Sequence, residues 1–144
     1  MSVNADSDFV EFLRTGQLSG VKVGDPAEHV RARFGEPEET TRVGGGCVLW
    51  AYSGRLLQVT FDAEGVRLIG LYPGRYDSQL LPGSGAVVPF DRDSSRDEVF
   101  TQLANWGLSF KRHPQLEHMY VRGKVSIVFN EDAKLDSLKV HIDN

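Results

Sequence analysis

The stretch Leu-Gln-Val-Thr-Phe-Asp at 57–62 alternates apolar and polar side chains and places a phenylalanine near its end. About 70 residues later, Val-Ser-Ile-Val-Phe-Asn at 125–130 has a closely similar pattern. Around both stretches we read the same succession: a short helix, an aromatic-containing strand, a glycine-basic step (54–55 and 123–124), the Phe-ending strand, an acidic turn and a last strand. This indicates that the chain contains the same structural unit twice, and duplicated units usually stack into one continuous surface.

The fold class that follows is α+β, with two tandem units, each a short helix packed on one face of a small antiparallel sheet. The first unit, preceded by an N-terminal helix, is expected over 1–76. The second unit, preceded by a linker, is expected over 77–144, and the two form one compact domain. Residues 73–91 contain several glycines and prolines, a composition typical of a linker. The two Phe-ending strands would occupy equivalent positions in the two units.

Three helices are predicted from their capping signals. The first covers 8–14 behind Asp6 or Ser7 as the cap. The second starts after Asp25, with Glu28 completing a capping box, and stops at Gly35. The third opens on a capping box from Ser95 to Glu98 and carries Val99, Leu103 and Trp106 as an apolar stripe.

Alternation within the strands divides side chains between a core face and an outer face. The core is predicted to contain Leu57, Val59, Phe61, Val125, Ile127, Phe129, Leu138, Val140 and Ile142. The outer face is predicted to carry Leu56, Gln58, Thr60, Leu68, Tyr72, Tyr120, Arg122, Ser126, Val128, Lys139 and His141. That outer face would mix aromatic, basic and apolar groups.

Composition and charge narrow the function classes. The chain has 144 residues and a net charge of −4, which argues against a general nucleic-acid binder because phosphate neutralisation needs clustered Lys and Arg. A single cysteine, Cys47, excludes an intramolecular disulfide. The sequence shows neither a secretory signal pattern nor a stretch of about 20 apolar residues. We therefore expect a cytoplasmic location and no membrane partner.

The candidate chemical motifs all favour structural roles. Cys47 begins an apolar strand, where a small buried thiol is normal. His113, Glu117 and His118 lack the spacing of a zinc motif, and the glycines at 44–46 precede a strand, whereas a phosphate loop precedes a helix. The acidic groups lie in turns and at helix ends, where carboxylates are normally solvated. The sequence thus predicts no catalytic residues, no metal ligands and no cofactor.

A family resemblance is carried by 23–37, Val-Gly-Asp-Pro-Ala-Glu-His-Val-Arg-Ala-Arg-Phe-Gly-Glu-Pro. This stretch resembles the opening of the BamE/SmpA-OmlA family, in which a hydrophobic-Gly step, a helix and Gly-x-Pro precede a small antiparallel sheet. The segments 50–52 and 61–66 resemble later strands of that unit. Two such units in tandem are similar in plan to the β-lactamase inhibitory protein family, whose concave sheet face binds its target enzyme. Small acidic scaffolds of this sort also recur among immunity proteins of bacterial toxin systems.

The resulting functional hypothesis is a protein-binding module, an immunity protein or inhibitor that occludes a toxin or enzyme, with a basic toxin domain as the partner. The partner-binding residues are predicted to be Tyr72, Tyr120, Arg122 and Tyr76 as anchors, with Glu36, Glu38, Glu39, Asp62 and Glu64 as an acidic rim. Two alternatives stay open: a small-ligand-binding or enzymatic α+β domain with a pocket between the units, and a structural subunit of an assembly. A convergent polar cluster inside an apolar cavity would favour the small-ligand alternative.

Overall fold

The computed structural model describes residues 3–82 and 86–141, and side chains from residue 8 onward. In this part of the chain the helices are α1 (Val3–Thr15), α2 (Ala27–Phe34) and α3 (Arg96–Asn105). The strands are β1 (Glu39–Val43), β2 (Cys47–Tyr52), β3 (Leu57–Asp62), β4 (Gly65–Leu71), β5 (Lys111–Arg112), β6 (Met119–Arg122), β7 (Val125–Phe129) and β8 (Leu135–His141). Strand β1 was not predicted, because its side chains are mostly exposed and show no apolar alternation.

The described strands form one eight-stranded antiparallel sheet in the order β1-β2-β3-β4-β8-β7-β6-β5. The protein is mainly β, with short helices, and the predicted α+β fold of two tandem helix-on-sheet units is wrong. The reason lies at the centre of the sheet, where β4 pairs with β8 from Leu68 opposite His141 to Leu71 opposite Leu138. The last strands of the two halves thereby satisfy each other's backbone groups, so neither half ends in a free edge there.

The N-termini of the three helices confirm one of the predicted capping arrangements and contradict two. The Ser95 hydroxyl accepts a hydrogen bond from the backbone N–H of Glu98, and the Glu98 carboxylate accepts one from the backbone N–H of Ser95, so the predicted capping box of α3 is confirmed. The capping box predicted for α2 is wrong. Pro26 is the N-cap of α2, and the Asp25 carboxylate instead accepts hydrogen bonds from the backbone and side chain of Lys22. Helix α1 begins at Val3, so positions 6 and 7 lie inside it and do not cap it.

All three helices lie against the same face of the sheet. Phe34 of α2 packs edge-on against Tyr52 of β2, and Phe100 of α3 packs against Phe129 of β7. The end of α1 sits over β7 and β8, since a Cβ added to Gly16 would lie 3.0 Å from a methyl of Val140. The predicted core residues between 57 and 61, between 125 and 129, and at 138 and 140 are all buried, as expected. Ile142 lies outside the described residues.

The segment predicted as a linker also contributes to the core. Leu81, Val88 and Phe90 are buried, and the Phe90 ring lies 5.7 Å from that of Phe9. Leu56, which was expected on the outer face, is likewise fully buried in the core. Both corrections share a reason: the packing of turns and connections is decided by distant residues, which local alternation does not report.

Candidate functional site

The candidate site is the sheet face opposite the helices, which we call the open face. Along the middle of this face, Gln58 of β3 pairs with Gly70 of β4, Gly70 pairs with Lys139 of β8, and Lys139 pairs with Ser126 of β7. Residues directly opposite in a ladder share a face, so these four positions form one row across the sheet. Val121 of β6, opposite Ser126, continues the row.

The Tyr72 ring lies against Gly70 at the centre of the open face. A Cβ added to Gly70 would come within 2.7 Å of the Tyr72 ring, so glycine is required for the ring to lie there. The Arg75 guanidinium and the Lys139 ammonium lie 5.1 and 5.6 Å from the ring centroid. Tyr72 is only 6% exposed, and burial raises the pKa of its hydroxyl. The ring is thus held by neighbouring groups of its own chain, with little surface left for a partner.

An ion pair links this centre to β8. The Arg75 guanidinium donates two hydrogen bonds of 3.0 Å to the carboxylate of Asp136. Burial alone would raise the pKa of Asp136, but the hydrogen bonds and charge of Arg75 bring it below its ordinary value. The pKa of Lys139 is lowered by burial and by the charge of Arg75, against the opposing effect of Asp136. The centre of the open face is therefore a cationic patch with one carboxylate already engaged.

A pocket of about 500 Å³ opens on the second half of this face. The loop between β5 and β6 forms one wall, and β6, β7 and β8 form the floor. The pocket is lined by His113, Pro114, Leu116, Met119, Val121, Gly123, Ser126 and His141. Aliphatic and thioether side chains dominate this lining, and Leu116, at the rim, is 49% exposed.

Two polar groups stand out in the pocket. The Ser126 side chain is 4% exposed, and its hydroxyl has no hydrogen-bond partner among the described residues. The pKa of His141 is lowered by burial and by the charge of Lys139, so its imidazole is neutral at pH 7. The His113 ring nitrogen Nδ1 is engaged, since it accepts hydrogen bonds from the backbone N–H groups of Gln115 and Leu116.

A smaller cavity of about 160 Å³ lies on the first half of the open face, around Arg55, Glu39 and Tyr76. Arg55 donates two hydrogen bonds, of 2.8 and 2.7 Å, to the Glu39 carboxylate. These hydrogen bonds lower the pKa of Glu39, and together with a hydrogen bond to Tyr76 they raise the pKa of Arg55. Arg55 and Glu39 therefore neutralise each other's charge in this cavity.

The predicted anchors Tyr120 and Arg122 lie on the helix-covered face, not on the open face. Arg122 pairs with Val125 and Tyr120 with Ile127 across a two-residue turn, so they share the core face of β7. The Tyr120 ring packs 4.8 Å from Phe100, and Arg122 donates a 3.1 Å hydrogen bond to the carbonyl oxygen of Arg14. The turn at 123–124, with Gly123 at a φ of 60°, sets this register, which strand alternation alone does not reveal.

The predicted acidic rim has partners within the chain. Glu36 pairs with Arg31 at 2.9 Å, and Glu38 accepts hydrogen bonds from the backbone N–H groups of Ser53 and Gly54. Asp62 accepts a 2.8 Å hydrogen bond from the backbone N–H of Glu64 and lies 3.6 Å from Arg67. A partner-binding role for these acids stays a prediction, and a partner would have to compete with these intramolecular contacts for the carboxylates.

Side chains that could bind a metal ion do not converge in the described part of the chain. No set of three or more His, Cys, Asp or Glu side chains there is placed to hold a metal ion. Cys47 is partly exposed, and its thiol donates a weak hydrogen bond of 3.9 Å to the Gly45 carbonyl oxygen. The pocket around Ser126 and His141 was missed at the sequence level because Ser126 was assigned only to an outer face. The sequence feature that could have indicated the pocket is Ser126 itself, a serine in a strand whose other residues are apolar.

Comparison with known proteins shows the fold alone. No family model matches the sequence, and no curated protein matches it. A DUF4309 family protein from Bacillus subtilis is similar in structure, at a TM-score of 0.53 and 15% identity over 96% of both chains. A cysteine-rich secretory protein from Staphylococcus aureus aligns at a TM-score of 0.52 and 12% identity. An extracellular protein containing an SCP domain from Bacillus anthracis aligns at 0.50 and 15% identity. Each of the last two matches covers 84% of this chain and 44% of the other, so this chain spans less than half their length.

These structures correct the resemblance drawn from the sequence. The likeness is to SCP-containing and DUF4309 proteins, and the resemblance to the BamE/SmpA-OmlA and β-lactamase inhibitory protein families is wrong. The interpretation as a tandem-repeat immunity protein depended on that resemblance and on two separate units. Both are wrong, so the prediction of toxin neutralisation loses its support. In the described part of the chain, no helix has the length and apolar character needed to cross a membrane. The expected cytoplasmic location stays a prediction.

Proposed function

We propose that the protein is a small-ligand-binding module whose site is the pocket on the open face. The observation that carries this proposal is the Ser126 hydroxyl, buried and without a partner in a mostly apolar pocket of about 500 Å³. Ligand pockets typically have volumes of about 300–1,000 Å³ and combine apolar walls with a few polar groups. This arrangement matches that description.

The energetic cost of the buried, unpaired Ser126 hydroxyl favours a ligand that carries a hydrogen-bond acceptor. A buried hydroxyl without a partner costs about 1–3 kcal/mol, and a ligand acceptor facing Ser126 would recover part of that cost. The neutral His141 ring offers one further donor and one acceptor. Met119, Val121 and Leu116 would cover an apolar ring or chain, and an unbranched Met side chain adapts to different shapes. The favoured ligand is therefore uncharged, with an apolar body and one carbonyl-type acceptor.

The proposal is tested by titrating the isotope-labelled protein with aryl amides and aryl ketones while recording amide chemical shifts. Binding should shift the amides of Val121, Ser126 and His141. Val121→Trp should abolish binding by filling the pocket, whereas Leu49→Trp, on the open face of the first half, should leave it unchanged. Shifts confined to the helix face, or binding unaffected by Val121→Trp, would refute the proposal.

Ser126→Ala gives a second test with opposite effects on stability and binding. Removing a buried hydroxyl without a partner should leave the free energy of unfolding unchanged or raise it. The same variant should bind aryl ketones several-fold more weakly, yet bind the parent hydrocarbons as the wild type does. Urea melts and the same titrations measure both effects, and a marked loss of stability would show that the hydroxyl has a structural role.

A second candidate function, protein binding by strand addition, is favoured by the edge strand β1. Within the described sheet β1 pairs only with β2, and Thr40, Thr41 and Arg42 are exposed. An edge of this kind can accept an extended segment of another protein through backbone hydrogen bonds. Amide hydrogen exchange of β1 should slow in such a complex, and unchanged exchange in a bound complex would exclude this mode.

A further inference from the structure

A third cavity, of about 440 Å³, lies on the helix side of the β6–β7 turn and is bordered by basic residues. We call it the basic groove. Its lining includes Arg14, Lys22, Arg122, Lys124, Val125 and Val140. Four of the described lining residues are Arg or Lys and none of the described ones is Asp or Glu, although the chain as a whole has a net charge of −4.

Three separate segments bring these cations together. The C-terminal end of α1 supplies Arg14, the following loop supplies Lys22, and the β6–β7 turn supplies Arg122 and Lys124. Val125 and Val140 are buried beneath them and join the groove to the core. The tertiary fold, and not a run of basic sequence, therefore creates this concentration of positive charge.

Contacts within the chain account for part of this charge. Arg122 donates a hydrogen bond to the carbonyl oxygen of Arg14 in the last turn of α1, where a cation is favourable. Lys22 pairs with Asp25 at 3.0 Å, while the Lys22 side chain stays 58% exposed. No salt bridge joins Arg14 to an acidic side chain among the described residues, whereas Lys124 has an interaction of its own. Like charges gathered in one concavity repel each other, and a bound anion would relieve this repulsion.

We propose that the basic groove binds a phosphate-bearing ligand with at least two negative charges. Arg guanidinium groups match phosphate oxygens through paired hydrogen bonds, and Lys ammonium groups add point charges. A multiply charged anion suits the groove because the cations approach from three directions. This proposal is independent of the pocket around Ser126, because the two sites lie on opposite sides of the β6–β7 turn and, among the described residues, their linings share only Gly123.

The test is calorimetric titration with inorganic pyrophosphate. The wild type should bind it, and affinity should fall as NaCl rises from about 50 to about 200 mM because salt screens the charges. Arg14→Gln combined with Lys124→Gln should weaken binding at least tenfold while leaving the Arg122 hydrogen bond to α1 in place. The matched control, Lys111→Gln combined with Arg112→Gln, removes two exposed cations from β5 outside the groove and should change affinity less than twofold.

Binding to lipid vesicles distinguishes a lipid phosphate from a soluble phosphate compound as the ligand. If phosphatidic acid vesicles bind and pyrophosphate does not, with the same sensitivity to the groove variant, the ligand is a lipid phosphate and the proposal holds. Equal losses in the groove and control variants would indicate unspecific electrostatics and overturn it. Absence of binding to both probes, or wild-type affinity in the groove variant, would overturn it too. Thermal melts of each variant confirm that the fold is intact.

Discussion

At the residue scale, Tyr72 shows how its neighbours change the role of a side chain. A tyrosine beside a linker-like segment was expected to be an exposed anchor, yet its ring lies against Gly70 and close to two cations. Ser126 shows the reverse, since it looked like an ordinary polar strand position and is a buried hydroxyl without a partner. The Lys139 cation near Tyr72 comes from strand β8, and the row that buries Ser126 forms only when β7 pairs with β6 and β8, so the sequence neighbourhood reported neither feature.

Gly74 gives a prediction at this scale. A Cβ at this position would clash with the backbone carbonyl oxygen of Leu135 and approach the Cα of Asp136 to 2.7 Å. Because backbone atoms cannot give way cheaply, Gly74→Ala should lower the free energy of unfolding by about 1–3 kcal/mol or more. Gly44→Ala is the control, since a Cβ there meets nothing within 4 Å, and it should change stability by less than about 0.5 kcal/mol. Equal urea midpoints for the two variants would contradict the close approach.

At the element scale, the helices and strands follow local signals where those signals are strong. The Ser95–Glu98 capping box starts α3, and Gly35 ends α2 with a φ of 84° and a hydrogen bond to the Arg31 carbonyl. The pairing of elements depends on contacts between them. The Arg75–Asp136 ion pair is one such contact, since it ties the loop after β4 to strand β8.

Asp136→Asn gives a pH-dependent prediction. The pKa of Asp136 is lower in the folded state than its ordinary value, so its ion pair stabilises the fold above about pH 4 and this contribution is lost as pH falls through the folded-state pKa. Asp136→Asn should therefore cost about 0.5–1 kcal/mol at pH 7, a modest value because Arg75 is half exposed. The difference from wild type should shrink at about pH 3.

Urea melts at the two pH values measure this difference. Asp132→Asn is the matched control, because Asp132 is exposed in the turn before β8, and it should show little effect at either pH. A penalty for Asp136→Asn that stays constant between the two pH values would show that the charge of Asp136 does not act through a lowered pKa.

At the scale of the whole molecule, the two halves of the chain share one sheet and one core. The β4–β8 pairing joins them, and α1 packs through Phe9 against Phe90 and Trp106 from the second half. One helix-covered face and one open face result, with the pocket around Ser126 and the basic groove on opposite sides of the β6–β7 turn. Shared pairing of this kind couples the unfolding of the halves.

Two tryptophans report on this coupling. Trp50 lies in the first half against Phe61, and Trp106 lies in the second half against Phe9. The single-tryptophan variants Trp106→Phe and Trp50→Phe should each show fluorescence and circular dichroism transitions at one common urea midpoint. A fluorescence midpoint that departs from the circular dichroism midpoint in either variant would show that the halves unfold separately.

The sequence by itself determined the features that belong to one element. Alternation placed Val59, Ile127 and Val140 in the core, because the period of two is a property of a single strand. The capping box of α3 is equally local. Tertiary structure decided the rest: the joining of β4 to β8, the turn register that turned Tyr120 and Arg122 toward the helices, and the convergence of Ser126 and His141 with the 113–118 loop. Each of these depends on backbone pairing between segments far apart in the chain, and no local periodicity encodes which strand edge pairs with which.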